Sequence, residues 1–487
     1  MANGKFLTPD QLADIGLERL RLPIPTVKLH IIHGVAHALD DNTTQAATWA
    51  ALLRLIATLE LESEVLEALC ILLVTQNTNM LSIAELRRSI ARPSILSDYF
   101  VSVAFSTPTL VRAWGSCHSG EAPLLYELDA AELELSEGHI VPSILAGTLR
   151  KLEQKTELPF MRQWAYEFER LQATRGLRSQ GQLGYFSGEP GQNEVGQFIS
   201  SRSHMARSAY LRVFALAVDR WDMPEDAALH YAMYSTPADF AFLRMLPSGP
   251  LPWSPTALNL TGDSFDACRD VVKEMLSQCE NRADGLLLHY DGPLHHSIRI
   301  KADLEIVTVS CCGDINVSQD AFFMHNWLPG HVFIPRDRDN NFHLSPWPAD
   351  QTFPSQEGTV MRPCLVPAVL NHVGYLHADL ILRMPYLPVS RALKHSLVVY
   401  PRSGGANITC EDKVIGQLYY WNAKWQPMHH KGVGAHCAVA VMANREIMST
   451  LFADTDCATI RCWRVKVCSR ENDYGDWKES VYSGVLE

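Results

Sequence analysis

The chain has 487 residues, which exceeds the size of one compact core, so we expect two or three domains. A composition of 47% hydrophobic and 20% charged residues excludes an extensively disordered chain, and the net charge of −12 argues against bulk affinity for nucleic acid or anionic membrane. Residues from Gly285 onward carry 18 basic and 20 acidic side chains, whereas the residues before Gly285 carry 24 basic and 34 acidic ones. A basic groove for nucleic acid could therefore form only in the nearly neutral part after Gly285.

Helices are predicted through residues 1–177. Thr8, Pro9 and Gln11 are typical of a capping box with proline at the first helical position. From 43 to 74 apolar residues recur at helical spacing with a break near Glu62, which predicts two packed helices. Further helices are predicted at 82–90, 94–106, 141–155 and 158–174.

Residues 178–197, RSQGQLGYFSGEPGQNEVGQ, are rich in glycine and lack periodicity, which predicts a linker. A second helical block is predicted at 198–284. Within it, the stretch from 264 to 279 places Phe265, Cys268 and Cys279 on one apolar face, where both cysteines are expected to be small core residues.

The periodicity changes at Gly285. The segment IRIKADLEI (298–306) alternates apolar and charged residues from Ile298 to Ile306, which predicts a half-buried strand. Further strands are predicted in SLVVY, VIGQLYYW, CAVAVM and ATIRCWRVKVC. The sequence therefore predicts an α+β multidomain protein, in which a helical amino-terminal half is followed by a β-rich carboxy-terminal domain at 285–487.

Targeting and redox signals are few. The amino-terminal stretch lacks an apolar core of signal-peptide length, and the longest apolar run, ALCILLV (68–74), is far shorter than a membrane span. Twelve cysteines without a secretion signal are expected to be reduced thiols. We therefore expect a cytoplasmic protein without a membrane partner.

The segment MHHKGVGAHC (428–437) is a candidate metal site. Adjacent residues of an extended chain point to opposite sides, so it offers two ligands at most, His429 and His436. A zinc ion needs three or four protein ligands, and His289 and His295 are candidates for the others. The competing interpretation is a polar loop without a bound cofactor. A second row, His30, His33 and His37, has helical spacing. The alternative is a strand, because Gly34 weakens a helix and the preceding PIPTVKL is compatible with a strand.

Two pairs of residues, Asp303 with Glu305 and Glu411 with Lys413, resemble parts of a nuclease site. Asp303 and Glu305 are two residues apart on the predicted strand, but Val307 stands where a catalytic lysine would be expected. Glu411 and Lys413 have the expected order but lack an identifiable first acid. The segment from His325 to His343 resembles a His-Asn-His nuclease without its spacing. The alternative is a solvated strand face.

Phosphate-binding, dinucleotide-binding, hydrolase-elbow and zinc-protease motifs are absent from the sequence. The first hypothesis is a non-catalytic recognition or scaffold subunit of a multiprotein assembly, which binds a protein partner through its β-rich domain. The alternative is a metal-dependent hydrolase, for example a nuclease, with a divalent ion such as zinc held by histidine and carboxylate ligands of that domain.

Overall fold

The structure is a computed structural model that describes most of the first 312 residues and shorter stretches beyond them. The predicted linker at 178–197 lies outside the described residues. The described residues are 8–108, 113–126, 143–174, 201–238, 240–244, 258, 260–283, 285–312, 353–354, 360–363, 365–367, 375–377, 386–388, 398–402, 405–410, 413–422, 437–445 and 457–486.

The architecture is α+β, with a helical amino-terminal half followed by an antiparallel β-sheet, which confirms the predicted fold class. The chain divides into two compact units. The first contains Met1–Leu243 and Asn371–Asp379, and the second contains Arg244–Leu370 and Leu380–Glu487. Among the helices of the described ranges, none combines the length and the apolar character that crossing a membrane requires.

The helices begin and end close to the predicted boundaries. The capping box is present, since the Gln11 backbone N–H donates to Thr8 Oγ1 at 3.3 Å and the Thr8 N–H donates to Gln11 Oε1 at 3.0 Å. The helices are α1 Pro9–Glu18, α2 Pro25–Asp40, α3 Gln45–Thr58, α4 Glu62–Val74, α5 Ile83–Ser89, α6 Ile95–Phe105, α7 Ser143–Thr156, α8 Phe160–Thr174, α9 Ser201–Arg220, α10 Glu225–Ala232, α11 Phe240–Arg244 and α12 Phe265–Ala283.

Two helices occupy the interior of the first unit. α4 is buried nearly all the way round, because its apolar residues are not confined to one stripe. α9 is buried over most of its length from Arg202 to Val218, although it carries charged side chains. α9 contacts α4, α8 and α10, so its polar residues must find partners inside the helical packing.

The second unit is built on an antiparallel sheet. The strand order is β12-β11-β2-β1-β10-β9-β8-β7, with β4 also paired to β2 and β3 to β4, and a separate β5-β6 pair. The strands are β1 Leu286–His296, β2 Ile300–Cys312, β3 Phe353–Pro354, β4 Val360–Pro363, β5 Leu365–Pro367, β6 Tyr386–Pro388, β7 Val398–Arg402, β8 Gly405–Cys410, β9 Lys413–Asn422, β10 Cys437–Ala443, β11 Cys457–Ser469 and β12 Lys478–Leu486.

α12 covers one face of this sheet, here called the helix face. Cys268 and Cys279 are fully buried in the core between helix and sheet, as predicted. The predicted alternation on β2 is confirmed for Ala302, Leu304 and Ile306, which also lie in this core. Ile298 does not belong to it: the residue precedes β2 in the turn after β1, and it is 63% exposed.

The opposite side of the sheet, here called the second face, is also buried in its middle. Val307, Val441 and Leu418 occupy neighbouring strand positions there and are almost completely inaccessible. The central strands are therefore buried on both faces, whereas β12 at the end of the strand order keeps exposed positions. Among the described residues, exposed side chains occur on β12, at the hairpin turns and at Tyr400 of β7.

Candidate recognition surface

The predicted acidic pair lies on the second face of the sheet. Glu305 forms an ion pair with Arg464 of the neighbouring strand at 2.5 Å. Asp303 is more exposed, and its Oδ1 lies 3.4 Å from His296 Nε2. An arginine beside Glu305 neutralises the carboxylate that a divalent ion would need. Throughout the described ranges, no group of three histidine, cysteine or carboxylate side chains is placed to hold a metal ion.

The sheet does not bring Lys413 to this pair. β2 and β9 are three strand spacings apart, about 14 Å. Across the sheet, the residue of β9 that lies level with Glu305 is Tyr420. Lys413 is seven residues away from Tyr420, a further distance of about 23 Å along the strand. Lys413 is an exposed residue at the start of β9, directly after the β8–β9 turn, and Glu411 lies outside the described residues. A joint catalytic role for Lys413 with Asp303 and Glu305 is therefore not supported.

The candidate metal-ligating histidines of β1 point to opposite faces. His289 is fully buried on the second face, opposite Val307. His295 lies opposite Ala302 on the helix face, where its Nδ1 is 3.3 Å from the Leu258 carbonyl. The two imidazoles therefore cannot share one ion. His429 and His436 lie outside the described residues.

The predicted row of His30, His33 and His37 lies on helix α2, so the alternative of a strand in this segment is wrong. His33 is half-buried, and burial, followed by the nearby charge of His30, lowers its pKa to about 4. Its imidazole is therefore neutral near pH 7. Neutral imidazole could bind a metal, but this row offers no set of three suitably placed ligands.

A buried polar network in the first unit was not found from the sequence. Ser63 Oγ lies 2.9 Å from His204 Nδ1, and His204 Nε2 lies 3.5 Å from Glu67 Oε1. This order of hydroxyl, imidazole and carboxylate is also that of a serine hydrolase. The residues come from α4 and α9, and Ser63 and His204 are 141 positions apart, so they form no motif that sequence inspection could detect.

The side chains of this network have further polar partners and are buried. Glu67 forms an ion pair with Lys28 and accepts a hydrogen bond from the Tyr375 hydroxyl at 2.9 Å. The Arg207 guanidinium lies 3.7 Å from the centre of the Tyr375 ring. Burial, and then the charge of Glu67, raises the pKa of Tyr375 well above its usual value. Because Ser63 is only 1% exposed, a substrate has no access to it here, and we assign the network to packing of the first unit.

Among the described residues of the second unit, the most exposed apolar side chains lie at two adjacent hairpin turns. Tyr474 is 99% exposed and Ile298 is 63% exposed. The turns are joined because Arg470 donates its backbone N–H to the Arg299 carbonyl at 3.0 Å and its Nε to the Ile298 carbonyl at 2.7 Å. Residues 297–301 and 470–478 are called the tip surface below.

Hydrogen bonds and cation–π contacts link residues within the tip surface. The backbone N–H of Tyr474 donates to Asn472 Oδ1 at 3.1 Å, and the N–H of Gly475 donates to the Asn472 carbonyl at 3.2 Å. Lys301 Nζ and the Arg470 guanidinium carbon each lie 4.6 Å from the centre of the Trp477 ring. An exposed tyrosine on an ordered turn loses little conformational entropy on binding, which is a property of residues that dominate protein interfaces.

Comparison of the whole chain with protein-family models finds no match, and comparison with curated proteins finds none either.

Proposed function

We propose that the second unit is a non-catalytic recognition module that binds another protein through the tip surface. The observation that carries this proposal is the complete exposure of Tyr474 on a turn held by hydrogen bonds. A large aromatic side chain in this position gains from burial against a partner, since its apolar ring is solvated and sits on a turn whose backbone makes hydrogen bonds.

The charges of the tip surface favour a protein partner over nucleic acid. The surface carries four basic and three acidic residues. Arg299 pairs with Asp473 at 2.9 Å, and Lys478 pairs with Glu471 at 2.8 Å. Cations that already have carboxylate partners release few counterions from a phosphate backbone, and such release supplies most of nonspecific nucleic-acid affinity.

The hydrolase alternative has no comparable support. Glu305 is paired with Arg464, and His289 and His295 occupy opposite faces of the sheet. Catalysis by a metal ion needs several ligands that converge on one point, and these residues diverge.

Site-specific photo-cross-linking tests the proposal. A photoreactive phenylalanine analogue at position 474 of the full chain should capture one defined protein in the native host. The control position is Val414, an exposed residue of the β8–β9 hairpin, which should not capture the same protein. Equal capture from both positions, or no specific product from position 474, would contradict the proposal.

A further inference from the structure

The strand β12 is an edge strand of the sheet in the part of the chain that the structure describes. Within the described residues, β12 pairs on one side only, with β11. The nine residue pairs from Arg461 and Leu486 to Ser469 and Lys478 run without a register shift. Natural edge strands avoid pairing with other chains through bulges, proline or charged residues, and SVYSGVL (480–486) contains no proline, charge or shift.

The opposite end of the strand order has the usual protection. β7 spans five residues, Val398–Arg402, and contains Pro401, which cannot donate a backbone hydrogen bond. Residues 480–486 lack such protection, although β12 begins with the charged residues Lys478 and Glu479. An edge of this length and regularity is a template for a further strand.

On the helix face, aromatic side chains flank this edge. Tyr482 donates its hydroxyl to the Asp263 carbonyl at 3.1 Å and packs against the core. The Trp463 ring lies across Gly484. The ring centre of Phe265, a residue that is 40% exposed, lies 5.4 Å from the ring centre of Trp463. A strand added beside β12 would place alternate side chains next to Tyr482 and Gly484, where these rings offer apolar contact.

On the second face, the edge presents Val481, which is 55% exposed. Its neighbour across the β11–β12 pair is Lys466, whose aliphatic stem is partly exposed. The intervening side chains of an added strand would lie beside Val481. Apolar contact is therefore available on both faces of an incoming segment.

The start of α12 gives the edge a negative charge. Asp263 accepts hydrogen bonds from Ser480 Oγ and Ser469 Oγ, both at 3.1 Å. Asp266 and Asp270 are both largely exposed and share Arg269 as their ion-pair partner. Three carboxylates against one guanidinium leave an excess of negative charge, which favours a basic residue in the bound segment.

We propose that β12 accepts an extended segment of a partner protein as an additional strand. The segment carries apolar residues at alternating positions and a lysine or arginine that meets Asp263 and Asp266. This inference rests on the proposed recognition function. It adds that the partner binds in part as an extended strand along β12, next to the tip surface.

A second copy of this chain is a poorer fit to the same edge. Two β12 strands related by a two-fold axis would continue one sheet, so both α12 helices would lie on the same side of it. Their acidic starts would then lie on the same face of one interface, where like charges oppose association.

A peptide selection tests the inference. The probe is a phage-displayed library of random peptides selected on the full-length protein, with the affinity of enriched peptides measured by fluorescence anisotropy. We expect enrichment of sequences with alternating apolar residues and a basic residue. Val481→Lys should weaken their binding by about tenfold or more, since an edge lysine blocks strand addition. Val414→Lys, at an exposed valine of another hairpin, is the matched control and should not change the affinity.

Backbone methylation of the peptide supplies the signature of strand pairing. N-methyl groups should abolish binding at alternate peptide residues only, because every second N–H faces the neighbouring strand. Uniform tolerance of N-methylation, or unchanged affinity in Val481→Lys with a native circular dichroism spectrum, would overturn the inference. So would a dimer of the free chain in sedimentation that Val481→Lys dissociates. Loss of strand pairing with intact cross-linking from position 474 would leave the proposed function standing.

Discussion

Trp463 packs against the backbone of Gly484 in the adjacent strand, with both residues on the helix face of the sheet. A Cβ atom at position 484 would lie 2.4 Å from Cζ2 of the indole, and Trp463 is only 1% exposed, so it has no room to move. Gly484→Ala is therefore expected to lower the free energy of unfolding by about 1–3 kcal/mol.

The measurement is urea denaturation of the full chain, followed by tryptophan fluorescence. Ser483→Ala, one residue earlier and on the opposite face, is the control and should change stability by less than about 0.5 kcal/mol. Equal stabilities for the two variants would show that Trp463 does not constrain β12.

Leu304 and Asp303 are neighbours on β2 with opposite environments. Leu304 is 1% exposed in the core under α12, whereas the Asp303 side chain is 42% exposed. Leu304→Ala should cost about 2–5 kcal/mol through lost burial and a cavity, and Asp303→Ala should cost less than about 1 kcal/mol. Thermal denaturation of both variants compares them. Similar losses would mean that Asp303 has a structural partner that is essential for folding.

Lys28 and Glu67 form an ion pair whose side chains are 3% and 4% exposed. Glu67→Gln leaves the Lys28 ammonium buried without its carboxylate partner, so we expect a loss of about 3–5 kcal/mol. The loss is measured by denaturation followed through the helical circular dichroism signal.

The matched control is the exposed pair of Arg54 and Asp14, which has a 2.8 Å contact between side chains that are 53% and 47% exposed. Arg54→Ala should cost less than about 1 kcal/mol, because solvent screens the pair. A small effect of Glu67→Gln would contradict the structural role assigned to the buried network.

Asp98 makes the stability of the first unit depend on pH. Burial raises its pKa from 3.8 to about 6, against the opposing effects of Arg87 and a hydrogen bond from Trp114. The folded state therefore holds this proton more tightly than the unfolded state does. The resulting stabilisation is fully present below about pH 4 and is lost as the pH rises through about 6.

Asp98→Asn should therefore raise the Tm relative to the wild type at about pH 7.5, and the difference should shrink at about pH 4.5. Glu121→Gln, at an exposed acid, is the control and should show no such pH-dependent difference. A pH-independent change in Tm for Asp98→Asn would refute the assignment.

Local signals in the sequence predicted most of the fold. The Thr8 capping box needs only residues within one helical turn, and the alternation from Ala302 to Ile306 needs only one strand, so both were confirmed. Ile298 was assigned to the same strand face because apolar alternation continues through the turn. The sequence does not show where a hairpin turn interrupts the strand.

Longer-range features were not accessible from the sequence. His289 and His295 are six residues apart, which would place them on one face of a regular strand. The register shift between Pro293 and His295 reverses this expectation. The contact of Tyr375 with Glu67 joins residues 308 positions apart, and only tertiary packing brings them together. The tip surface likewise depends on two hairpins whose adjacency follows from the strand order.

The most direct test of the recognition function is the affinity of the second unit for the protein captured from position 474. Isothermal titration of that purified protein with the full chain should show that Tyr474→Ala weakens binding by about 2 kcal/mol, which is about thirtyfold in Kd. Val414→Ala, at an exposed residue outside the tip surface, should leave Kd within about twofold. An unchanged Kd for Tyr474→Ala, or equal losses for both variants, would contradict recognition through the tip surface.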